Sequence, residues 1–239
     1  MTTLVKARSA HEKNGFDLHA PGLLAKWPMI GILMFVLGSL AFGGLTYNLL
    51  AHGPLLAWDH AIANTLPAIA LSGPPFLEGL MAAGFYIGRE AVVVIDLVLL
   101  VYFLYKRYWQ ELAMVFIGWA GSAVFFYALT TFFARSRPDT QIWIVLNVPG
   151  FPSGHAISVV ICYGLLAYLL IPKMPSVFLK VVVTVTALFI ILFVGFSRVF
   201  TGGHYLTDIL AGYAVGIAWC GLAFTLIELY FQKRRNQNV

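Results

Sequence analysis

Three short polar segments interrupt an otherwise apolar chain, and each carries residue types suited to phosphate chemistry. The first is Arg135-Ser136-Arg137-Pro138 and the second is Phe151-Pro152-Ser153-Gly154-His155. The third is Ser197-Arg198, followed by His204 and Asp208. Arginine offers a planar fork of donors that matches phosphate oxygens two at a time. Histidine can be nucleophile, base or acid near neutral pH. His204 and Asp208 are four residues apart and so share one face of a helix. The acid can then hold the proton of one imidazole nitrogen and leave the other free to attack, as the orienting acid of a triad does. Ser153 and Gly154 precede an apolar run, so a helix starting there would point its unpaired amides and its dipole at an anion. Together the segments predict a phosphoryl-transfer site with two histidines that requires no metal and no cofactor.

The elements that must position these residues are membrane helices. Of 239 residues, 60% are hydrophobic and 10% charged, against roughly 25% charged in soluble domains. That excludes a soluble globular, disordered or collagen-like chain and leaves an integral membrane protein. The net charge of +5 would raise nucleic acid as a partner, but the basic residues are too sparse and scattered for it. Apolar runs of spanning length are read at 27–51, about 90–105, 111–133, 155–171, 177–196 and 205–231. The Pro-rich stretch 53–88 reads as a surface helix over about 55–71 and a second short apolar piece over 76–87. The expected organisation is a basic cytoplasmic tail (1–26), a six-span helical domain (27–231) and a cytoplasmic tail (232–239). With the N-terminus inside, eleven of the fifteen basic residues, including all seven lysines, fall on the cytoplasmic side. This is the positive-inside pattern. Arg89, Arg135, Arg137 and Arg198 remain outside, and the three polar segments meet at that outer face. Cys162 and Cys220 lie in apolar runs and read as packing residues.

The segments resemble the three-part signature of the type 2 phosphatidic acid phosphatase superfamily. That signature is a Lys with Arg-Pro seven and eight residues on, then Pro-Ser-Gly-His, then Ser-Arg, five residues, His, three residues and Asp. Here Arg137-Pro138 stands for the first part and Pro152-Ser153-Gly154-His155 for the second. Ser197-Arg198, His204 and Asp208 stand for the third, with matching spacing. The resemblance covers roughly 27–230. It implies that His204 is the nucleophile of a phosphohistidine intermediate and that Asp208 orients it. It implies that His155 protonates the leaving alkoxide and then activates water. Arg137, Arg198, Ser153 and Gly154 would bind the phosphoryl oxygens. The family Lys falls on Thr130, which carries no charge, and Arg135 is the expected substitute in phosphate binding.

The expected function is hydrolysis of a lipid phosphate or pyrophosphate, of the phosphatidic acid, phosphatidylglycerol phosphate or undecaprenyl pyrophosphate type. The expected setting is a bacterial inner membrane, with the site facing outward and a membrane-embedded substrate. Two alternatives stay open: a lipid-linked phosphotransferase using the same site, and a flippase or transporter. Other readings rank below these. One is a metal cluster of His155, His204, Asp208 and Asp139, and another is Ser153 as a hydrolase nucleophile, for which no Gly-x-Ser-x-Gly elbow exists. Arg89 reads as an interfacial partner of Glu90 or a headgroup contact, Asp96 is unassigned, and His52 and His60 read as interface residues. Oligomeric state is not legible.

Overall fold

The computed structural model describes residues 22–142 and 148–237, and among them every regular element is helical. In chain order these are α1 (Leu23–Lys26), α2 (Pro28–Leu50), α3 (Leu55–Ser72), α4 (Pro75–Gly88), α5 (Glu90–Lys106), α6 (Trp109–Phe133), α7 (Gly154–Leu170), α8 (Val177–Phe200) and α9 (Leu206–Gln237). A 3-10 turn, Ile171–Lys173, joins α7 to α8. Most of the expected N-terminal tail lies outside the described residues. Helix α9 runs on through the basic residues Lys233–Arg235, so most of the expected 232–239 tail is helix.

Among the described residues five helices are long and apolar enough to cross a membrane: α2, α6, α7 with its 3-10 turn, α8 and α9. Helix α5, the remaining expected span, has 17 residues, the short end of the spanning range. Its one deep acid, Asp96, is buried and shares a hydrogen bond with Cys162 of α7. The carboxyl therefore turns into the bundle and not toward lipid. Leu33, Leu37, Leu188 and Leu192 are exposed on the outer faces, as lipid-facing residues must be.

Local sequence explains the helix ends. Pro28 and Pro75 open α2 and α4 at positions where no amide partner is lost. Ser153 and Ser176 cap α7 and α8 by accepting from the amides of Ala156 and Leu179. Helix α6 stops at Ala134, whose left-handed φ of 47° reverses the backbone and sends Arg135–Pro138 across the end of the bundle.

Helix α9 is the axis, with 61% of its most apolar stretch buried against 6% for α8. It packs closely on α2 because glycine lines the crossing. A Cβ on Gly38 would lie 2.7 Å from the Ala214 carbonyl oxygen, and one on Gly221 would lie 2.5 Å from that of Gly31. Small residues at a crossing let membrane helices approach backbone to backbone. Far from the polar segments, the buried Glu228 accepts from the Ala25 amide at 2.5 Å and from the Tyr168 hydroxyl, which fixes α1 to the bundle. At the other end, α4 packs on α8 and α7, and α3 on α8 and α9. These two helices border the region where the polar segments converge.

Candidate active site

His204 stands between two partners that define its tautomer. Its Nε2 lies 2.9 Å from Arg137 NH1, and its Nδ1 lies 3.0 Å from the Gly150 carbonyl oxygen. Arginine can only donate, so Nε2 is the acceptor and Nδ1 carries the proton. Gly150 takes that proton more closely than Asp208 does, whose Oδ2 is 3.4 Å away. The ring is 1% exposed. Burial first, then the Arg137 and Arg198 guanidinium groups, push His204 well below the ordinary histidine range. A neutral imidazole thus presents an unprotonated nitrogen toward a cation, which is the state a nucleophile requires.

The five-residue spacing from Arg198 to His204 comes from a turn that closes α8. The amides of Gly203 and His204 both donate to the Arg198 carbonyl, at 2.9 and 3.2 Å. Gly202 takes a left-handed φ of 68°, which suits glycine. Gly203 is needed for a second reason, because a Cβ there would lie 2.2 Å from Arg198 NH2. Asp208 then falls in the first turn of α9, where its Oδ2 accepts from the Tyr205 amide at 3.0 Å. This is the reach-back of a capping box. One carboxylate therefore caps the helix and faces the histidine.

His155 and Arg198 meet over Phe85 of α4. The His155 ring centroid is 5.1 Å from that of Phe85, and the Arg198 guanidinium sits 4.9 Å above the same ring. The Arg198 and Arg137 guanidinium groups and the His204 ring are neighbours of His155. His155 Nε2 and Arg198 Nε are buried without a hydrogen-bond partner. Leaving a buried donor or acceptor unpaired costs about 1–3 kcal/mol, so the two orphans mark a place prepared for a polar ligand. Arg137 is held beside them by donating to the carbonyls of Val148 at 2.8 Å and Gly203 at 2.6 Å. Gly154 is pressed against Phe126, where a Cβ would come within 2.7 Å. Ser153 is fully buried, and its amide donates to the Asp208 carbonyl at 3.0 Å. That bond ties the start of α7 to the start of α9, and the first-turn amides of Gly154 and His155 remain to face an anion.

The structure thus brings together His204, His155, Asp208, Arg137, Arg198, Ser153 and Gly154. Arg135 is a correction. It lies in the same cluster but behind Asp208, with NH1 on Asp208 Oδ1 at 2.6 Å and NH2 on Asp59 Oδ2 at 2.8 Å. Both ends of its fork hold carboxylates, so it does not stand in for the family lysine as a phosphate ligand. Thr130 does not either, because its hydroxyl donates back to the Phe126 carbonyl within α6 at 2.5 Å. Asp59, Gly150 and Phe85 carried no sequence signal of their own. Arg89 pairs loosely with Glu90 at 3.9 Å and lies 5.9 Å from the Phe85 ring. His60 packs edge-on against Tyr205. Among the described residues no three His, Cys, Asp or Glu side chains are placed to share a metal ion.

Residues 111–231 match the PAP2 superfamily. The chain belongs to that family, and with its apolar membrane-length helices it is an integral membrane lipid phosphatase. It is similar to phosphatidylglycerophosphatase B of Bacillus subtilis (strain 168), with 28% identity over 178 residues, 73% of this chain and 84% of that protein. Its fold is similar to that of a transmembrane PAP2-type phosphatidylglycerolphosphate phosphatase from Bacillus subtilis, solved by crystallography. The TM-score is 0.61 at 24% identity, covering 87% of this chain and 96% of that one.

Proposed function

We propose that this protein removes the terminal phosphate of a lipid phosphomonoester, phosphatidylglycerol phosphate foremost, through a phosphohistidine on His204. The observation that carries this reading is the neutral His204, with Nδ1–H held by the Gly150 carbonyl and Nε2 aimed at Arg137, beside the unpaired His155 Nε2 and Arg198 Nε. The similarity to phosphatidylglycerophosphatase B supports the choice of lipid.

In the first step the Nε2 lone pair attacks phosphorus and the bond to the lipid oxygen breaks. His155, which enters as the imidazolium paired with the bound phosphate's negative charge, gives its proton to that oxygen and becomes neutral. Arg137 leaves Nε2 for the phosphoryl oxygens, which it shares with Arg198 and the first amides of α7. Such preorganised donors act on the spread equatorial charge and supply the largest share of catalysis. Nδ1–H stays on the imidazole, and Asp208 balances the positive charge that phosphorylation creates. In the second step water gives a proton to His155 and attacks phosphorus, and the P–N bond breaks to restore neutral His204.

An apolar groove of about 610 Å³ supports a membrane-embedded substrate. It lies between α3, α8 and α9 and is lined by Trp58, Leu66, Phe196, Leu206 and Ile209, next to Arg198 and Asp208 in sequence. Acyl chains can stay in apolar surroundings while the headgroup reaches the arginines. Lys106, Arg107, Lys173, Lys180 and Lys233–Arg235 lie at the helix ends opposite the site, which by the positive-inside rule supports a site on the outer face of a cytoplasmic membrane.

The test is phosphate release by the purified protein in detergent and EDTA, from phosphatidylglycerol phosphate, phosphatidic acid and undecaprenyl pyrophosphate, beside His204→Ala. Release fastest from the first lipid and lost in the variant is expected. Release that persists in His204→Ala sinks the mechanism. A trapped phosphoenzyme that yields no free phosphate points to a phosphotransferase instead.

A further inference from the structure

The acid of the histidine pair is itself held by a buried charge chain. Arg135 bridges Asp208 and Asp59, at 2.6 and 2.8 Å. The side chains of Asp59, Arg135 and Asp208 are 1%, 9% and 0% exposed. Asp59 Oδ1 accepts from the Thr207 amide at 3.0 Å, and its Oδ2 from the Thr207 hydroxyl at 2.5 Å. That hydroxyl also accepts from Arg135 NH1 at 2.8 Å. The Tyr205 ring covers the guanidinium at 4.2 Å. Each polar end of the chain is satisfied, which a buried network of charges requires.

The charge count gives this arrangement a purpose. Arg135 alone on Asp208 would cancel the anion beside His204. Asp59 on the far side leaves the three groups with a net charge of −1. That charge is needed when the imidazole turns cationic on phosphorylation. We infer that Asp59 is a positioning residue for phosphoryl transfer, acting through Arg135 to fix Asp208 and to leave the three groups net negative toward His204. The inference rests on the reading of His204 as nucleophile. It also gives α3 a share in the chemistry, since Asp59 reaches the site from a helix that carries none of the signature residues.

The charged and titratable groups around the pair are Arg135 and Arg137 from the segment after α6, His155 from α7, Arg198 from α8, Tyr205, Asp208 from α9 and Asp59 from α3. Arg89 lies further out, beyond Phe85. The test is Asp59→Asn, which keeps an oxygen for the Thr207 amide, removes the charge and puts a donor where Arg135 and the Thr207 hydroxyl now find an acceptor. We expect kcat on phosphatidylglycerol phosphate to fall about tenfold or more while KM stays within about threefold. In an Arg135→Lys background the same change should add little, because a lysine point charge cannot bridge two carboxylates and has already broken the chain. NMR titration of His204 without substrate should show its midpoint lowered in Asp59→Asn, since an anion has been removed from its surroundings. Unchanged kcat with an unchanged midpoint, or losses that multiply in the double variant, would overturn the inference. If Asp59→Asn does not fold, Arg135→Lys against wild type decides: unchanged kcat and midpoint overturn it. A wild type inactive on every lipid phosphate sinks the functional reading instead, and the His204 titration then decides the charge chain alone.

Discussion

Replacing Gly203 with alanine should disarm Arg198 without unfolding the protein. The added methyl carbon would lie 2.2 Å from Arg198 NH2, 3.0 Å from Cζ and 3.3 Å from the Arg198 carbonyl oxygen. Only the first of these is far inside ordinary contact, and it involves the free end of a long side chain. The guanidinium must retreat by about an ångström, and a displacement of that size in a catalytic group costs about 10²-fold in rate. That equals about 2.7 kcal/mol of transition-state stabilisation. The backbone at Gly203 is not left-handed, unlike that at Gly202, so alanine adds no backbone strain. Stability should stay within about 1 kcal/mol of wild type. The assay is kcat/KM on phosphatidylglycerol phosphate beside a thermal melt in detergent, with Arg198→Ala as reference. The reasoning is refuted if Gly203→Ala keeps full activity, or if it loses activity only by unfolding.

Three further outcomes follow from the same geometry. His155→Ala should lower kcat on lipid phosphates by about 10²–10⁴-fold. On an aryl phosphate, whose leaving group needs no proton, the variant should still phosphorylate His204 and accumulate phosphoenzyme, as rapid-quench labelling would show. In the proposed mechanism the neutral form of His204 attacks, and its pKa lies well below the usual 6.5, so acid should abolish activity only as pH falls through that lowered value. The acid limb of kcat/KM should therefore lie below pH 6.5, and an acid limb above it would contradict the assigned state. At the α2–α9 crossing, Gly38→Leu should destabilise by about 1–3 kcal/mol, since its Cβ meets backbone atoms of Ala214 and Ala218 at 2.7 and 2.8 Å. An unchanged thermal melt would refute that packing account.

The signature residues were legible because local geometry sets their spacing. Ser153 caps a helix that places His155 in its first turn, and a glycine turn between Arg198 and His204 leads into Asp208 as a capping acid. The membrane helices were legible because an apolar run of spanning length has few other uses. Asp59 was not legible. Its partners Arg135 and Thr207 lie 76 and 148 residues away, so no spacing relates them. Gly150 acts through its backbone carbonyl, which sequence does not mark. Phe85 looked like one more apolar residue until α4 folded it under His155 and Arg198. Arg135 was placed in the right cluster but given the wrong partner. An arginine beside Arg137 suggests phosphate, and only the fold reveals two buried carboxylates within its reach.

The central claim is that His204 carries the phosphoryl group. Rapid quench of the protein with lipid phosphate labelled at its terminal phosphate tests it most directly, followed by peptide mapping. The account predicts an acid-labile, base-stable label on His204, transient in wild type, prolonged in His155→Ala with an aryl phosphate, and absent in His204→Ala. A label on another residue, or turnover with no labelled protein at any time, would contradict it.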